Sequence, residues 1–389
     1  MERRAPQLAV RPPRAAPGQP RAPAVGFVGT YPPTVCGVAT FNLALRRAIG
    51  APRSAVVACA DAEGITRQLP EVVAELVPGS TRSLGRAAAA LADVDAVVLQ
   101  HEFGIYGGAD GREVLDLAER IEPPLIVVLH TVVRVPSRHQ RAIVERLAEH
   151  AYVVVAQSGA ARLALLNEHD VPAAKVRVIP HGARRNIDHD APAPRRPVIL
   201  TWGLLGRDKG IETAIEAVAG LRDLDPPPLY IVRGRTHPRV LEHEGERYRH
   251  SLQARVRALG AGDLVQFDDR YLDEEAVLAG IRAAAIVLLP YRSRDQVVSG
   301  VLVEALASGK PVVSTAFPHA VELLSEGSGL LVPHDDAAAM EAALRTLLTD
   351  PVAAAEARRV AARQAARLSW RSVGHSYREL LAAAVGSRR

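Results

Sequence analysis

From Ala24 onward, short apolar runs alternate with longer segments rich in Ala, Leu and Arg. Most of the runs are nearly continuous in Val, Ile and Leu, which is typical of strands buried on both faces of a parallel sheet. The alternation of such strands with helical patterns predicts doubly wound α/β layers. The predicted strands are Val25–Val28, Ala55–Cys59, Asp95–Leu99, Leu125–Leu129, Tyr152–Ala156, Val176–Ile179, Val198–Trp202, Leu229–Val232, Leu264–Phe267, Ala285–Leu289 and Pro311–Ser314. The predicted helices include Thr40–Ala48, Gly111–Arg120, Gln140–Glu149, Ile211–Leu221 and Trp370–Val385.

The apolar runs form two series, separated by residues 187–197 with the sequence IDHDAPAPRRP. Three prolines and the lack of periodicity are typical of a linker. Two α/β halves joined there would leave a cleft between them, at the carboxyl ends of both sheets, where open α/β sheets bind ligands. A length of 389 residues allows two or three domains. The predicted division is a tail over 1–23, an N-terminal domain over 24–187, a linker over 188–197, a C-terminal domain over 198–368 and a final helical segment over 369–389.

The net charge of +5 and the pI of about 9.4 suggest nucleic acid as a partner, but the charge is unevenly placed. Residues 1–24 hold five Arg and one Glu, so they carry +4 of the +5. The rest of the chain is nearly neutral, and aromatic residues make up only 4%, so few rings could stack on bases. A nucleic-acid-binding protein is therefore not expected, and the Pro-rich, Arg-rich tail is expected to be disordered.

The two cysteines, Cys36 and Cys59, are too few for a disulfide framework and fit a reducing compartment. Prolines interrupt the N-terminal segment, which therefore lacks the apolar core of a secretory signal. No apolar run is long enough to cross a membrane. We therefore expect a cytoplasmic protein.

In the first half, candidate chemistry follows three predicted strands. Gly29, Thr30 and Gly37 bracket a turn-rich loop, and Thr40 could cap the helix after it. Such a loop could hold an anion or be a plain turn, and it is not a GxGxxG dinucleotide motif. His130 follows the run Val127–Leu129 and would lie at the strand's carboxyl tip, as a catalytic or a structural histidine. His101 and Glu102 begin an HExxH pattern that has no second His, so no zinc site is expected.

In the second half, Lys209 attracts notice because the chain has three Lys against 45 Arg. The loop from Gly203 carries Arg207 and Lys209 before Gly210 and a helix, and two cations there could neutralise a diphosphate. The alternative is a solvated loop in which Arg and Asp pair. The loop is not a Walker A motif, because Gly-Lys-Ser/Thr is absent.

A second motif begins at Ser299 and Gly300, which predict a helix whose first backbone N–H groups could bind phosphate. Glu304 would lie one turn inside this helix, within reach of ribose hydroxyls. Since its neighbours Leu302 and Leu306 are apolar, Glu304 is expected to have a polar partner.

These residues resemble the family 4 retaining glycosyltransferases, whose GT-B fold has two facing Rossmann-like doubly wound domains with an interdomain cleft. The resemblance runs from about Val25 to the C-terminus and is strongest over Ser299–Asp336. It implies that the C-terminal domain holds a nucleotide-sugar, that the N-terminal domain faces the acceptor, and that the helix Trp370–Val385 crosses back to the N-terminal domain. The implied activity is transfer of a hexosyl group to a hydroxyl of a glycan, a lipid-linked molecule or a small molecule.

The same resemblance assigns roles to single residues. Lys209 would contact the donor diphosphate, Glu304 would hold the ribose hydroxyls, and His130 would lie near the anomeric centre of the sugar. The remaining implied site residues are Gly203, Gln296, Ser299, Gly300, Val301 and Leu302 for the donor, and Gly29, Thr30 and Gly37 for phosphate and acceptor. No cofactor or metal is expected, because cations and helix N-termini can stabilise the departing nucleoside diphosphate.

The chain departs from the family pattern at three places. Leu204 stands where the family has Arg, so Arg207 is expected to substitute for it. Gln296 stands where the family has the first Glu of a Glu–x7–Glu pair, and His319-Ala320 replaces the usual Gly-Gly before Glu322. An amide keeps hydrogen-bonding capacity but loses the charge. Two alternatives therefore stay open: another GT-B activity, such as epimerisation or phosphorolysis, and a non-catalytic nucleotide-sugar-binding protein. Peripheral membrane contact is open too.

Overall fold

The structure of the protein is a computed structural model that describes residues 23–66, 69–188, 194–270 and 273–387. Most of the predicted tail and residues 189–193 of the predicted linker lie outside these ranges. Within them the chain forms two parallel sheets, each flanked by helices on both faces. This confirms the predicted fold class of two Rossmann-like domains.

The N-terminal sheet has the strand order β3-β2-β1-β4-β5-β6-β7 across its described residues. Its strands are β1 Ala24–Thr30, β2 Arg53–Cys59, β3 Val72–Leu76, β4 Ala96–His101, β5 Leu125–Leu129, β6 Val153–Ala156 and β7 Val176–Val178. Its helices are α1 Gly37–Ile49, α2 Thr81–Leu91, α3 Val114–Ala118, α4 Arg138–His150 and α5 Gly159–Glu168. The central strands are buried on both faces, as their continuous apolar sequences require.

The C-terminal sheet has the order β10-β9-β8-β11-β12-β13 in the part of the chain that the structure describes. Its strands are β8 Val198–Trp202, β9 Leu229–Arg233, β10 Val265–Asp268, β11 Ile286–Leu289, β12 Val312–Thr315 and β13 Gly329–Val332. The helices are α6 Ile211–Ala219, α7 Pro238–Glu244, α8 Arg247–Ala258, α9 Glu274–Ala283, α10 Gly300–Ala307, α11 Pro318–Leu324, α12 Ala337–Thr349, α13 Pro351–Arg367 and α14 Trp370–Gly386. None of the helices described is long and apolar enough to cross a membrane.

Strand order reverses between β1 and β4 in the first sheet and between β8 and β11 in the second. Ligands of open α/β sheets bind at such switch points, outside the carboxyl ends of the strands. The loops after these four strands include residues 31–36, 203–210 and 290–299. The fold thus places most of the motifs found in the sequence at the two switch points.

Two edge strands, β3 and β13, escaped the sequence analysis. Both are partly exposed, so their sequences VVAEL and GLLV do not form long apolar runs bounded by polar residues. The helix α1 begins earlier than predicted, at Gly37, and Cys36 is its N-cap, with the Sγ atom accepting a hydrogen bond from the Ala39 N–H at 3.3 Å. The prediction that Thr40 caps this helix was wrong, because Thr40 lies inside the first turn.

The last helix, α14, packs on the N-terminal domain. Val373, Tyr377 and Leu381 join the apolar core of β1 and β2, and Arg378 Nη1 donates to the Ala48 carbonyl at 2.7 Å. The chain crosses between the domains near Ala183 and again before α14. These two crossings are bonded together, since the Ala183 N–H donates to the Leu368 carbonyl at 2.8 Å and the Trp370 N–H donates to the Ala183 carbonyl at 3.0 Å.

Candidate active site

Lys209 lies in the loop between β8 and α6, at the switch point of the second sheet. Its Nζ atom is 4.1 Å from the centre of the Tyr291 ring and 3.6 Å from Asp208 Oδ2. Burial lowers the pKa of Lys209, but Tyr291 and Asp208 outweigh burial, so the pKa lies above its ordinary value. The side chain is 21% exposed. A held ammonium group at this edge can neutralise part of an anionic ligand.

Arg207 lies on the same loop but is engaged elsewhere. Its guanidinium group pairs with Glu244 at 2.6 Å and lies 5.1 Å from the centre of the Tyr248 ring. The side chain is 57% exposed. Lys209 faces Tyr291 instead. The two cations of this loop therefore contact different partners.

Helix α10 presents its N-terminus to the cleft. Ser299 is the N-cap, and its Oγ atom accepts from the Leu302 N–H at 3.3 Å, while its own N–H donates to His319 Nδ1 at 2.9 Å. Of the four backbone N–H groups assigned to phosphate, those of Ser299 and Leu302 are therefore occupied. The N–H groups of Gly300 and Val301 are the two that have no acceptor among the described residues.

Glu304 has a polar partner, as expected for a carboxylate between apolar neighbours. Its Oε2 atom accepts a hydrogen bond from the indole N–H of Trp202 at 3.1 Å. Burial raises the pKa of Glu304, and the Trp202 hydrogen bond opposes this rise. Trp202 is the last residue of β8, and a Cβ atom placed on the next residue, Gly203, would lie 4.0 Å from Val301. The structure thus brings Gly203, Val301 and Glu304 together.

Gln296 lies in the loop before α10. Its Nε2 atom donates to the Val298 carbonyl at 3.0 Å, and its backbone carbonyl accepts from the His319 N–H at 3.3 Å. The amide therefore stabilises the loop that leads to Ser299. A carboxylate at this position could not make the first of these bonds, because it has no hydrogen to donate.

His130 follows β5 directly, at the predicted carboxyl tip. Its Nε2 atom lies 2.9 Å from Gln100 Oε1 and its Nδ1 atom 3.2 Å from Gln157 Nε2. Burial lowers the pKa of His130 to about 3, and the neighbouring His181 and His101 contribute. The ring is therefore neutral at ordinary pH, and both nitrogens are hydrogen-bonded.

The loop after β1 is connected to His130 by hydrogen bonds. Gln100 Nε2 lies 3.5 Å from Asn42 Oδ1, and Asn42 Nδ2 donates to the Thr30 carbonyl at 3.3 Å. A Cβ atom on Gly29 would come within 2.9 Å of Gln100, so the glycine allows this close approach. Gly37 is exposed at the start of α1.

His130 and α10 are linked across the cleft by a chain of ring contacts. The ring of Phe41 contacts the ring of His130 edge-on, with 4.7 Å between the ring centres, and the centre of the His181 ring lies 4.9 Å away. A Cβ atom on Gly300 would lie 3.2 Å from His181 Nε2. The side chain predicted to approach the sugar and the helix predicted to bind phosphate therefore belong to one contiguous region.

The domains also meet through residues that sequence reasoning missed. Ser158 Oγ donates to the Val297 carbonyl at 2.6 Å, and the N–H groups of Gly159 and Ala160 donate to the carboxylate of Glu322 at 2.9 Å each. Ser158 and Gln157 follow β6 at its carboxyl end, so the rule that singled out His130 could have found them.

A cavity of about 220 Å³ lies apart from these donor-side residues, at the carboxyl ends of β2 and β3. Its lining includes Cys59, Tyr106, Arg112, Glu113 and Asp116. Polar and apolar groups are mixed there, as in sites for small ligands.

Comparison with known proteins finds relatives among glycosyltransferases. Residues 184–368 match the family model "Glycosyl transferases group 1". A D-inositol 3-phosphate glycosyltransferase of Kineococcus radiotolerans is 29% identical over 307 residues, which cover 70% of this chain and 68% of that protein. An alpha-D-kanosaminyltransferase of Streptomyces kanamyceticus is 26% identical over 59% of this chain and 62% of its own length. The chain thus spans about two thirds of the curated relatives that it matches.

Solved structures show the same fold over nearly the whole chain. Anabaena HepE in complex with UDP has a TM-score of 0.76 at 19% identity, covering 92% of this chain and 99% of that one. Sucrose-phosphate synthase from Thermosynechococcus elongatus has a TM-score of 0.71 at 20% identity, covering 93% and 100%. The protein is therefore a glycosyltransferase with the GT-B fold, whose residues 184–368 match the group 1 model.

Proposed function

We propose that the protein is a retaining, metal-independent hexosyltransferase that uses a nucleoside-diphosphate sugar. The observation that carries the proposal is the placement of Lys209 and the N-terminus of α10 at one switch point, with His130 opposite them. The relatives named inositol-phosphate glycosyltransferase and kanosaminyltransferase, and the neighbour that binds UDP, support a nucleotide-sugar donor.

In the proposed site, the diphosphate lies against the Gly300 and Val301 N–H groups and the Lys209 ammonium group. Helix N-termini and fixed cations stabilise the negative charge that develops on a leaving phosphate. Glu304, held by Trp202, would accept hydrogen bonds from the ribose hydroxyls. Arg207 is not needed for this arrangement, since Glu244 engages its guanidinium group.

Transfer with retention requires the acceptor oxygen to attack on the face that the phosphate leaves. The bond between the anomeric carbon and the phosphate oxygen breaks, the bond to the acceptor oxygen forms, and the acceptor proton passes to a phosphate oxygen. His130 is not assigned the role of base in this scheme, because both of its ring nitrogens are already hydrogen-bonded. It would lie near the anomeric centre of the sugar, on the side of the N-terminal domain.

The acceptor is proposed to be a hydroxyl of a sugar or sugar phosphate, bound by the N-terminal domain. The cavity at β2 and β3 offers Ser80, Thr81 and the carboxylates of Glu113 and Asp116, which suit hydrogen bonds to hydroxyl groups. The proposal also includes lipid-linked acceptors, which the protein would reach by contact with the inner face of a membrane.

The first test is a panel of nucleotide-sugars in a thermal-shift assay, since a donor that binds the folded state raises the melting temperature. The donor found is then incubated with sugar and sugar-phosphate acceptors, with and without EDTA. An α-linked product from an α-linked donor, formed at the same rate in EDTA, supports the proposal. An inverted product or dependence on a divalent cation contradicts it, and epimerised free sugar or binding without turnover favours the alternatives.

Lys209→Ala is the matching variant. We expect kcat to fall by about 10²-fold or more, because a fixed charge on the leaving group is lost. Lys175→Ala is the control: Lys175 Nζ donates to the Ala148 and Glu149 carbonyls at the end of α4, in the other domain. Full turnover by Lys209→Ala would remove this residue from the mechanism.

A further inference from the structure

The segment Gln157–Ala160, at the carboxyl end of β6, contacts the site residues of both domains. Gln157 is buried, with 1% of its surface exposed. Its Nε2 atom lies 3.3 Å from the Leu129 carbonyl and 3.2 Å from His130 Nδ1. The next three residues contact the C-terminal domain through Val297 and Glu322.

Backbone carbonyls fix where the proton of His130 lies. The Leu129 carbonyl can only accept, so the amide nitrogen of Gln157 faces it and also donates to His130 Nδ1. On the other side, the Thr30 carbonyl accepts from Asn42, whose Oδ1 accepts from Gln100 Nε2. Gln100 Oε1 therefore faces His130 and accepts from its Nε2–H. Both sides require the same tautomer, with the proton on Nε2.

Packing alone does not explain Gln157. Its Oε1 atom is buried and has no hydrogen-bond partner among the described residues. A buried acceptor without a partner is unfavourable, and an apolar side chain of similar size would avoid that cost. The two hydrogen bonds that the amide donates, one of them to His130, are what an apolar side chain would not supply.

The other end of the segment is bonded to the loop that presents α10. Ser158 Oγ donates to the carbonyl of Val297, two residues before the N-cap of α10. Glu322 accepts from Gly159 and Ala160, and it lies one turn after His319, which accepts from the Ser299 N–H. One short segment, residues 157–160, is therefore hydrogen-bonded both to His130 and to the residues that support the phosphate-binding turn.

We infer that Gln157 is a positioning residue that fixes the orientation and tautomer of His130, and that the contacts of residues 158–160 with Val297 and Glu322 hold Gln157 in place when the cleft is closed. The inference rests on the proposed role of His130 at the donor sugar. Opening of the cleft would separate residues 158–160 from Glu322 and Val297. Domain closure would therefore fix the tautomer and orientation of His130 in the same step.

The test uses full-length protein with ¹⁵N-labelled histidine, whose ring shifts distinguish protonated from unprotonated nitrogens. The His130 signals are assigned by their absence in His130→Asn. In Gln157→Glu, a carboxylate faces Nδ1 and can only accept, so His130 is expected to take a second proton and to titrate at higher pH than in wild type. In Gln157→Leu, the Nδ1 signal is expected to shift because Nδ1 loses its hydrogen-bond donor.

Turnover is measured in the same two variants. We expect kcat to fall by about 10- to 100-fold, as for misplacement of a site residue, with the donor KM nearly unchanged, because Gln157 does not contact the proposed phosphate-binding groups. A purely structural role would lower the melting temperature without moving the titration of His130.

The coupling to closure is tested with Glu322→Gln, which removes the charge and one acceptor from the N-terminus of α5. The matched control is Glu326→Gln, because Glu326 pairs with Arg367 and has no hydrogen bond to α5 among the described residues. The His130 Nδ1 signal should shift in Glu322→Gln, in the direction seen in Gln157→Leu, and stay in place in Glu326→Gln.

An unchanged His130 titration in Gln157→Glu, or unchanged turnover in both Gln157 variants, overturns the assignment of Gln157. Equal spectra of Glu322→Gln and wild type overturn the coupling. The spectra require neither donor nor acceptor, so they remain informative if the wild-type protein transfers no sugar, a result that would refute the proposed function instead.

Discussion

Four buried or partly buried histidines lie at or near the contact between the domains. Burial lowers the pKa of His101 and His181 to about 4 and that of His130 and His319 to about 3. His101 and His319 are at most 1% exposed. Each of these rings is therefore neutral in the folded protein and gains a proton only in more acidic solution or on unfolding.

This predicts a protein that loses stability in mild acid. Histidine in the unfolded chain has a pKa of about 6.5, so below that pH the unfolded state binds more protons than the folded state. The free energy of unfolding should fall from about pH 6.5 to about pH 4, by about 1.4 kcal/mol per pH unit for each fully buried ring. Urea denaturation at pH 7, 6 and 5 measures the slope.

His319→Asn, which can still accept from the Ser299 N–H, should reduce this slope, although it lowers stability at pH 7. His375→Asn is the control, since His375 is 66% exposed on α14. An unfolding midpoint that does not change between pH 7 and pH 5 would contradict the burial argument.

The sequence identified residues whose type and position were both unusual. Lys209 stood out against 45 Arg and could be placed on the loop before a helix, and His130 followed a run of apolar residues and could be placed at a strand end. Gln157 and Gln100 could not be assigned, because an amide acquires its role from the carbonyls that orient it, and those come from other strands. The Glu244 that engages Arg207 lies 37 residues away in the chain, which no local pattern reveals.

At the scale of elements, two of the site helices are capped by serine and one by cysteine. Ser299 caps α10, Ser158 caps α5 with help from Glu322 of the other domain, and Cys36 caps α1. A thiol at the N-cap is unusual, because Ser, Thr, Asp and Asn are preferred there. This preference also explains why Thr40 was mistaken for the cap of α1.

The cap of α1 can be tested directly. Cys36→Ala should lower the free energy of unfolding by about 1 kcal/mol, because the Ala39 N–H loses its acceptor, whereas Cys36→Ser should preserve it. Thr40→Ala should change it by less than about 0.5 kcal/mol. Chemical denaturation of the three variants decides the point, and a larger loss in Thr40→Ala than in Cys36→Ala would restore Thr40 as the cap.

The contact between α14 and α1 depends on the lack of a side chain at Gly374. A Cβ atom there would lie 2.5 Å from the Ala48 carbonyl oxygen, closer than real Cβ contacts. Gly374→Ala should therefore push α14 away and cost about 1–3 kcal/mol of stability, despite the better helix propensity of Ala. Thermal denaturation measures the loss.

Gly386→Ala is the matched control in the same helix, because a Cβ atom on Gly386 meets nothing within 4 Å. Its melting temperature should equal or exceed that of wild type. Equal stability of Gly374→Ala and Gly386→Ala would show that α14 tolerates displacement from α1.

The bounds of helices and strands were predicted best from the sequence where every residue of the element is buried. The prediction for β8 matched its observed bounds, Val198–Trp202, because all five residues are buried. The edge strands β3 and β13 escaped because their short stretches, VVAEL with an acidic residue and GLLV with a glycine, do not stand apart from neighbouring segments. Exposure alone does not explain the miss, since the edge strand β7 has two exposed residues and was predicted from the run Val176–Ile179.

At the scale of the whole molecule, the basic character resides mainly in residues outside the described ranges. Residues 1–22 include five Arg and one Glu, which accounts for +4 of the net charge of +5. Deletion of residues 1–22 should leave donor binding unchanged, because the proposed donor contacts lie between His130 and Glu304. Calorimetric titration of full-length and shortened protein with the same nucleotide-sugar tests this, and a weaker binding constant after deletion would give the N-terminal residues a role in the site.

The paired crossings between the domains have a consequence for stereochemistry. Because Ala183 is hydrogen-bonded to both Leu368 and Trp370, the two covalent connections lie side by side and are tied to each other. We expect relative motion of the domains to be a hinge rotation about this paired connection. An acceptor carried by the N-terminal domain would approach the donor along the same arc in every cycle, so the connectivity of the chain itself would limit which face of the sugar the acceptor can reach.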